Sequence, residues 1–280
     1  MAMSRFPLCS AVPLCRAGFG GLVVLALLSL GCAERPTEPE ALAAYEEAND
    51  PGEPTNRALF EFNQGFDRNL LKPAAEAYRD YVPDGARTSI RNVLNNLRSP
   101  VVFANDLLQG KPGRAMETLM RATMNTIAGM GGLFDVAGGY GLERHGEDFG
   151  QTLAVWGVSE GPFVTLPIFG PSNPRDTVGL AVDGFIDPMR YVTNLPGGLA
   201  RSAVDGIDRR SEAIEALDEV ERTSVDFYAT IRSLYRQRRA DEIRDGEPSE
   251  IVPAPGIAKE MLEEAVTSSL PSDGDATPAQ

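Results

Sequence analysis

Beyond residue 32 the apolar residues of this chain recur at helical spacing, and no uninterrupted apolar stretch reaches bilayer-spanning length. The chain is therefore expected to form amphipathic helices, and any further membrane contact must come from their faces. Leu59, Phe62, Phe66 and Leu70 step by three and four, and Lys72-Pro73 is expected to break the run. Ile90, Val93, Leu94 and Leu97 repeat the rhythm, and Pro100 and Gly110 are expected to bracket a short apolar helix. Pro112 suits the first position of the next helix, whose Met116, Leu119, Met120, Thr123 and Ile127 share a face. The longest pattern covers residues 211–241, with Ile214, Leu217, Val220, Ser224, Phe227, Ile231 and Leu234 on one side and Glu and Arg on the other.

The N-terminus follows a different logic. Arg5 and Arg16 precede an apolar stretch at residues 19–30, the make-up of a signal peptide, assigned to residues 1–31. It ends in Gly31-Cys32, a lipoprotein cleavage site, with Cys32 as the lipid anchor carrying a diacylglycerol and an N-acyl chain. The other cysteines, Cys9 and Cys15, lie before the cut, so the mature chain keeps one thiol with no disulfide partner. Ala33 follows the anchor, not the Asp that retains lipoproteins in the inner membrane. The expected address is therefore the periplasmic face of a Gram-negative outer membrane. Residues 32–55, acidic and Pro-rich, are expected to form a flexible tether. Residues 242–280 are expected to form a Pro-rich linker and a mostly disordered tail, with a short amphipathic helix over 257–266.

The body between them, residues 56–241, shows no catalytic signature. Gly157-Val158-Ser159-Glu160-Gly161 spells a hydrolase elbow, but Pro162 follows where a helix is needed, and the sole histidine, His145, lies upstream. His145 with Glu143, Glu147 and Asp148 reads as a solvated polar loop in preference to a metal site. A net charge of −14 with no basic cluster argues against a nucleic-acid partner. No cofactor is expected. "GMGGLFDVAGGYG", residues 129–141, lacks a phosphate-loop lysine and follows a helix; it reads as a turn or as a moving hairpin. Residues 163–169 are expected to be a kinked, extended connection and not a sheet strand, because Pro cannot donate to a ladder. Asn173 is the expected N-cap of the helix that follows, with Pro174 first and Asp176 third; Val178, Ala181, Val182 and Phe185 share its face up to Pro188. Arg175 there could meet a lipid phosphate, or form a structural pair with Asp176, the favoured reading.

"NRALFEFN" (56–63), "PAAEAYRDYVPDGAR" (73–87), "NTIAGMGGLFDVAG" (125–138) and "DFGQTLAVWGVSEGPFVTLPIFGPSNPRDTVG" (148–179) together resemble the MlaA/VacJ phospholipid-transport lipoproteins. The resemblance covers about residues 56–191, and more weakly the helix to 241. It implies an all-α, single ring-shaped helical domain whose amphipathic helices lie in one membrane leaflet. An amphipathic channel would pass phospholipids misplaced in the outer leaflet. A trimeric porin and a periplasmic MlaC-type carrier are the implied partners; a porin-associated scaffold is the alternative. By the same resemblance Gly129, Gly131, Gly132, Leu133 and Phe134 belong to a hairpin beside the channel, and Phe62 and Asn63 to a helix that keeps it closed. "FNQGFD" departs from the family's usual sequence there. The 257–266 helix is expected to recruit the carrier by raising its local concentration.

Overall fold

The computed structural model describes residues 48–246, together with 36, 38, 42 and 45. Cys32, the signal peptide and the 257–266 stripe lie outside the described residues. Helix α1 (Glu53–Phe66) runs through a π turn (Asp67–Leu71) into α2 (Lys72–Tyr81). Then come α3 (Asp84–Leu108), α4 (Pro112–Ile127), and the short α5 (Val136–Gly139) and α6 (Phe149–Val155). Strands β1 (Val164–Leu166) and β2 (Gly170–Ser172) precede α7 (Pro174–Ile186), α8 (Met189–Val192), α9 (Leu195–Glu212), α10 (Ile214–Thr223) and α11 (Phe227–Ile243). Helix α3 packs on α4, α6 on α7, α2 on α9, and α11 against α6 and β2.

Several expected breaks are not breaks. Lys72-Pro73 does not interrupt the first helix, because the π turn just before it absorbs the change: Lys72 N–H reaches back five residues to Asp67 O. Pro73 then sits in the first turn of α2, where its missing N–H costs nothing. Pro100 lies inside α3, and the turns beyond it are held by burial of Val101, Val102, Asn105 and Asp106 against neighbouring elements. Conversely, the long pattern over 211–241 is three helices. Ser224 Oγ donates back to Val220 O, and Asp226 accepts from Ala229 N at 3.1 Å to cap α11, so local side-chain bonds end one helix and start the next. The ordered body also starts earlier than residue 56: Asp50, assigned to the tether, is buried and accepts from Asn56, Tyr228 and Arg232.

Residues 163–169 are corrected too. Val164, Thr165 and Leu166 pair antiparallel with Ser172, Pro171 and Gly170. Pro171 is tolerated because its partner, Thr165, points its own N–H away from β2, toward Asn56 Oδ1 at 2.9 Å. At such a non-hydrogen-bonded pair the ladder asks nothing of the proline nitrogen.

Candidate functional site

Among the described residues, eight apolar side chains are buried against eighteen polar or charged ones. Water-soluble folds show the opposite preference. The apolar face of α4 found by periodicity is real, but Met116, Leu119, Met120 and Ile127 are exposed, while Ala115, Thr118, Arg121 and Asn125 face inward. Phe62, Trp156, Ile168, Phe169, Val178, Phe185, Tyr191, Val192, Leu195 and Leu199 are exposed as well. No helix of the described residues is long and apolar enough to cross a membrane. A surface this apolar on a chain with polar groups inside suits an apolar solvent outside.

The glycine-rich segment after α4 is a compact sequence of turns. Gly131 N–H reaches Thr126 O at 2.9 Å, Gly132 N–H reaches Asn125 O at 2.8 Å, and Phe134 N–H reaches Gly129 O at 3.1 Å. Gly131 and Gly132 take φ of +76° and +98°, the left-handed region open to glycine, and a Cβ on Gly129 would strike backbone carbonyls. Asp135 fastens the base, accepting from Arg121 and Asn125 at 2.9 Å each. Burial would raise the Asp135 pKa, but these donors hold it below the ordinary value. The outer part of the segment, with Met130, Leu133 and Phe134, is exposed and apolar.

Asn63 and Asn56 stand two turns apart on the same side of α1, and each grips the β-hairpin with both ends of its amide. Asn56 donates to Phe163 O at 3.0 Å and accepts from Thr165 N. Asn63 donates to Leu166 O at 2.9 Å and accepts from Ile168 N at 2.7 Å. Phe62, next to Asn63, is exposed. The pairing of Asn56 with the hairpin was not foreseen; two asparagines seven residues apart inside a helix are the only trace of it in the sequence.

The expected cap is present: Asn173 Oδ1 accepts from Asp176 N at 2.8 Å. Asp176 then enters a wider node. Arg239 of α11 donates to Asp176 at 2.9 and 3.0 Å and to Asp148, the N-cap of α6, at 2.6 and 2.7 Å. Tyr235 OH donates to Asp176 at 2.6 Å. Burial alone would raise the Asp148 pKa; the Arg239 guanidinium outweighs it and holds the carboxyl at about 2. Helices α6 and α7 cross at Gly150 and Gly179, where a Cβ on either would collide with the node or the facing backbone. Arg175 is buried against Asp176, Nε to Oδ1 at 3.0 Å, as the pairing reading expects; the phosphate reading finds no accessible face on this side chain.

The polar loop disperses its groups. Glu143 is exposed, and His145 Nε2 lies 3.1 Å from both Thr118 Oγ1 and Asp106 Oδ2. Glu147 turns inward to Gln109 and Arg114, and its pKa is pushed up by burial. No group of His, Cys, Asp and Glu among the described residues could hold a metal. Ser159 is exposed and no helix follows it, so the elbow geometry is absent.

The sequence profile of the MlaA lipoprotein family matches residues 48–242. The chain is 37% identical over 223 residues to the intermembrane phospholipid transport system lipoprotein MlaA of Escherichia coli, covering 78% of this chain and 85% of that one. It is 32% identical over 232 residues to the protein of the same name from Haemophilus influenzae, covering 80% and 91%. A solved structure described as the structural basis for maintenance of bacterial outer membrane lipid asymmetry matches with a TM-score of 0.64 at 37% identity. It covers 69% of this chain and 98% of that one.

Proposed function

The chain belongs to the MlaA lipoprotein family, and from that premise we propose that it clears phospholipids misplaced in the outer leaflet of a Gram-negative outer membrane. It is a transport-family protein and not an enzyme: the lipid moves and no bond is made or broken. Anchored through Cys32 and embedded by its apolar helix faces in the periplasmic leaflet, it passes lipid through an amphipathic channel within a ring of helices. A soluble MlaC-type carrier receives the lipid, and a trimeric porin holds the protein in place. The Gly129–Phe134 turns border the channel, and the α1 segment with Phe62 and Asn63 keeps it closed.

The observation that carries this reading is the inverted distribution of side chains. Among the described residues apolar groups face out and polar groups in, which gives acyl chains an apolar wall and headgroups a hydrated, hydrogen-bonding one. The short helices lie in a leaflet without spanning it. Deleting the gene is expected to expose phospholipid on the cell surface, measured by labelling or by outer-leaflet lipase digestion, and the purified protein is expected to retain phospholipid. A deletion strain with normal surface lipid and a lipid-free protein would leave the porin-scaffold reading instead.

A further inference from the structure

Five carboxylates, those of Asp208, Glu212, Glu215, Asp218 and Glu221, recur every three or four residues along α9 and α10. Each meets a cation from the first part of the chain. Arg91 of α3 takes Asp208 at 2.9 Å and also Glu212. Arg79 of α2 takes Glu215, Lys72 takes Asp218 at 2.8 Å, and Arg68 of the π turn takes Glu221. The carboxylates ascend from 208 to 221 as the cations descend from 91 to 68, so the seam is an antiparallel ladder of ion pairs.

The two ends of this ladder differ. At the α9 end Asp208 is 3% exposed, and Arg210 beside it, 9% exposed, holds Asp67 at 2.8 and 2.9 Å. At the α10 end Glu221, Asp218 and Glu215 are 42, 41 and 76% exposed. Exposed pairs are weak and screened by salt, whereas a buried pair is costly to break. Among the described residues no other hydrogen bond ties α10 to α1, the π turn or α2. Apolar burial is concentrated in the first turn of α10, at Ile214, while Leu217 and Val220 stay half-exposed. The helix follows Ala213 without a side-chain cap, and just past its end Val225 is fully exposed. Helix α10 is thus a strap with a break at each end, and its hold on α1 and α2 is electrostatic.

What the strap grips is the π turn. Arg68 lies within that turn, Lys72 follows it, and Asp67 opens it in the grasp of Arg210. A π turn departs from regular helix geometry and needs surrounding contacts to fix it. It also sets the direction of α1 relative to α2, and Phe62 and Asn63 stand about one turn upstream of it.

We propose that α10 is a salt-releasable strap that locks the π turn, and through it the Phe62–Asn63 end of α1. Only the consequence for a lipid channel rests on the phospholipid-transport reading. Full-length protein in non-ionic detergent is followed by deuterium exchange at residues 214–223, 67–71 and 205–211. NaCl is raised from about 10 mM to about 1 M, which shortens the Debye length from about 30 Å to about 3 Å. Exchange in α10 and in the π turn is expected to quicken together, about fivefold, with residues 205–211 unchanged. Arg68→Glu or Glu221→Arg alone is expected to reproduce that gain at low salt, and the two together to return exchange to wild type. Arg222→Gln, whose native side chain pairs with Glu219 on the surface of α10 itself, is expected to exchange as wild type. Exchange in α10 that ignores salt, or a double variant as loose as the single ones, overturns the strap. Faster exchange in α10 beside a π turn that stays protected overturns the lock. Exchange is read without added lipid, so these failures leave the transport reading standing; a deletion strain with normal surface phospholipid would overturn that reading and leave the strap in place.

Discussion

Ile168 adopts a φ of +69° at the turn between β1 and β2, a region that β-branched residues avoid. Asn63 holds it there through the two amide bonds described above, and the side chain stays exposed beside Phe169. The strain is offset by the clamp, so opposite mutational signs are expected. Ile168→Gly is expected to stabilise the protein by about 1 kcal/mol, by removing the left-handed penalty. Asn63→Ala is expected to cost about 1 kcal/mol, because it removes the two hydrogen bonds that fasten the hairpin tip to α1. Urea unfolding in detergent reads both, and amide exchange at Ile168 is expected to speed up only in Asn63→Ala. A destabilised Ile168→Gly would show that the strain is not there to relieve. Both asparagines are legible as helix residues in the sequence, but nothing in a helical pattern says that a hairpin 105 to 109 residues on will need its N–H groups met.

At the scale of elements, Arg239 joins three helices through two N-terminal carboxylates, Asp148 of the α6 cap and Asp176 of α7. Arg239→Met is expected to cost about 2–3 kcal/mol, since it leaves two partly buried carboxylates without their shared cation. Arg239→Lys is expected to rescue little, because one ammonium cannot fork to both carboxylates. The pH dependence follows from the folded Asp148 pKa of about 2 against an ordinary 3.8. A depressed carboxyl contributes stability that is fully present above its unfolded pKa and is lost as pH falls through the folded value. That amounts to about 2 kcal/mol vanishing between about pH 4 and pH 2. Thermal melts across that window are expected to fall steeply for wild type and to be flatter for Asp148→Asn; parallel curves would refute the linkage. The Asn173–Asp176 half of this node was readable as a capping pattern. The Arg239 half was not, since an arginine in a charged helix looks solvated until the fold turns it inward.

For the whole molecule, the outward apolar surface predicts membrane affinity independent of the lipid anchor. A Cys32→Ser protein, made without acylation, is expected to bind phospholipid vesicles in flotation assays. Adding Ile127→Asp and Val192→Asp is expected to weaken that binding by about tenfold or more, as two exposed apolar contacts become charged. A Cys32→Ser protein that stays wholly in the aqueous fraction would count against leaflet embedding. The periodic faces on α4 and α7 were legible residue by residue, yet their direction was not. Met116 and Leu119 satisfy a core pattern and a lipid-facing pattern equally well, because periodicity reports which residues share a side and not what lies opposite.

The sequence by itself determined that the body is helical, where the helices at Pro112 and Pro174 start, and to which family it belongs. Those properties are local: caps, spacing, and runs of residues quoted in order. Only the tertiary structure decided that helices continue through Pro73 and Pro100, that the proline-rich stretch closes into a hairpin, and that polar side chains fill the interior. Only it brought Arg239 to Asp148 and Asp176, from positions far apart in the chain. Burial and electrostatics depend on what surrounds a residue in space, and no spacing along one strand of sequence contains that information.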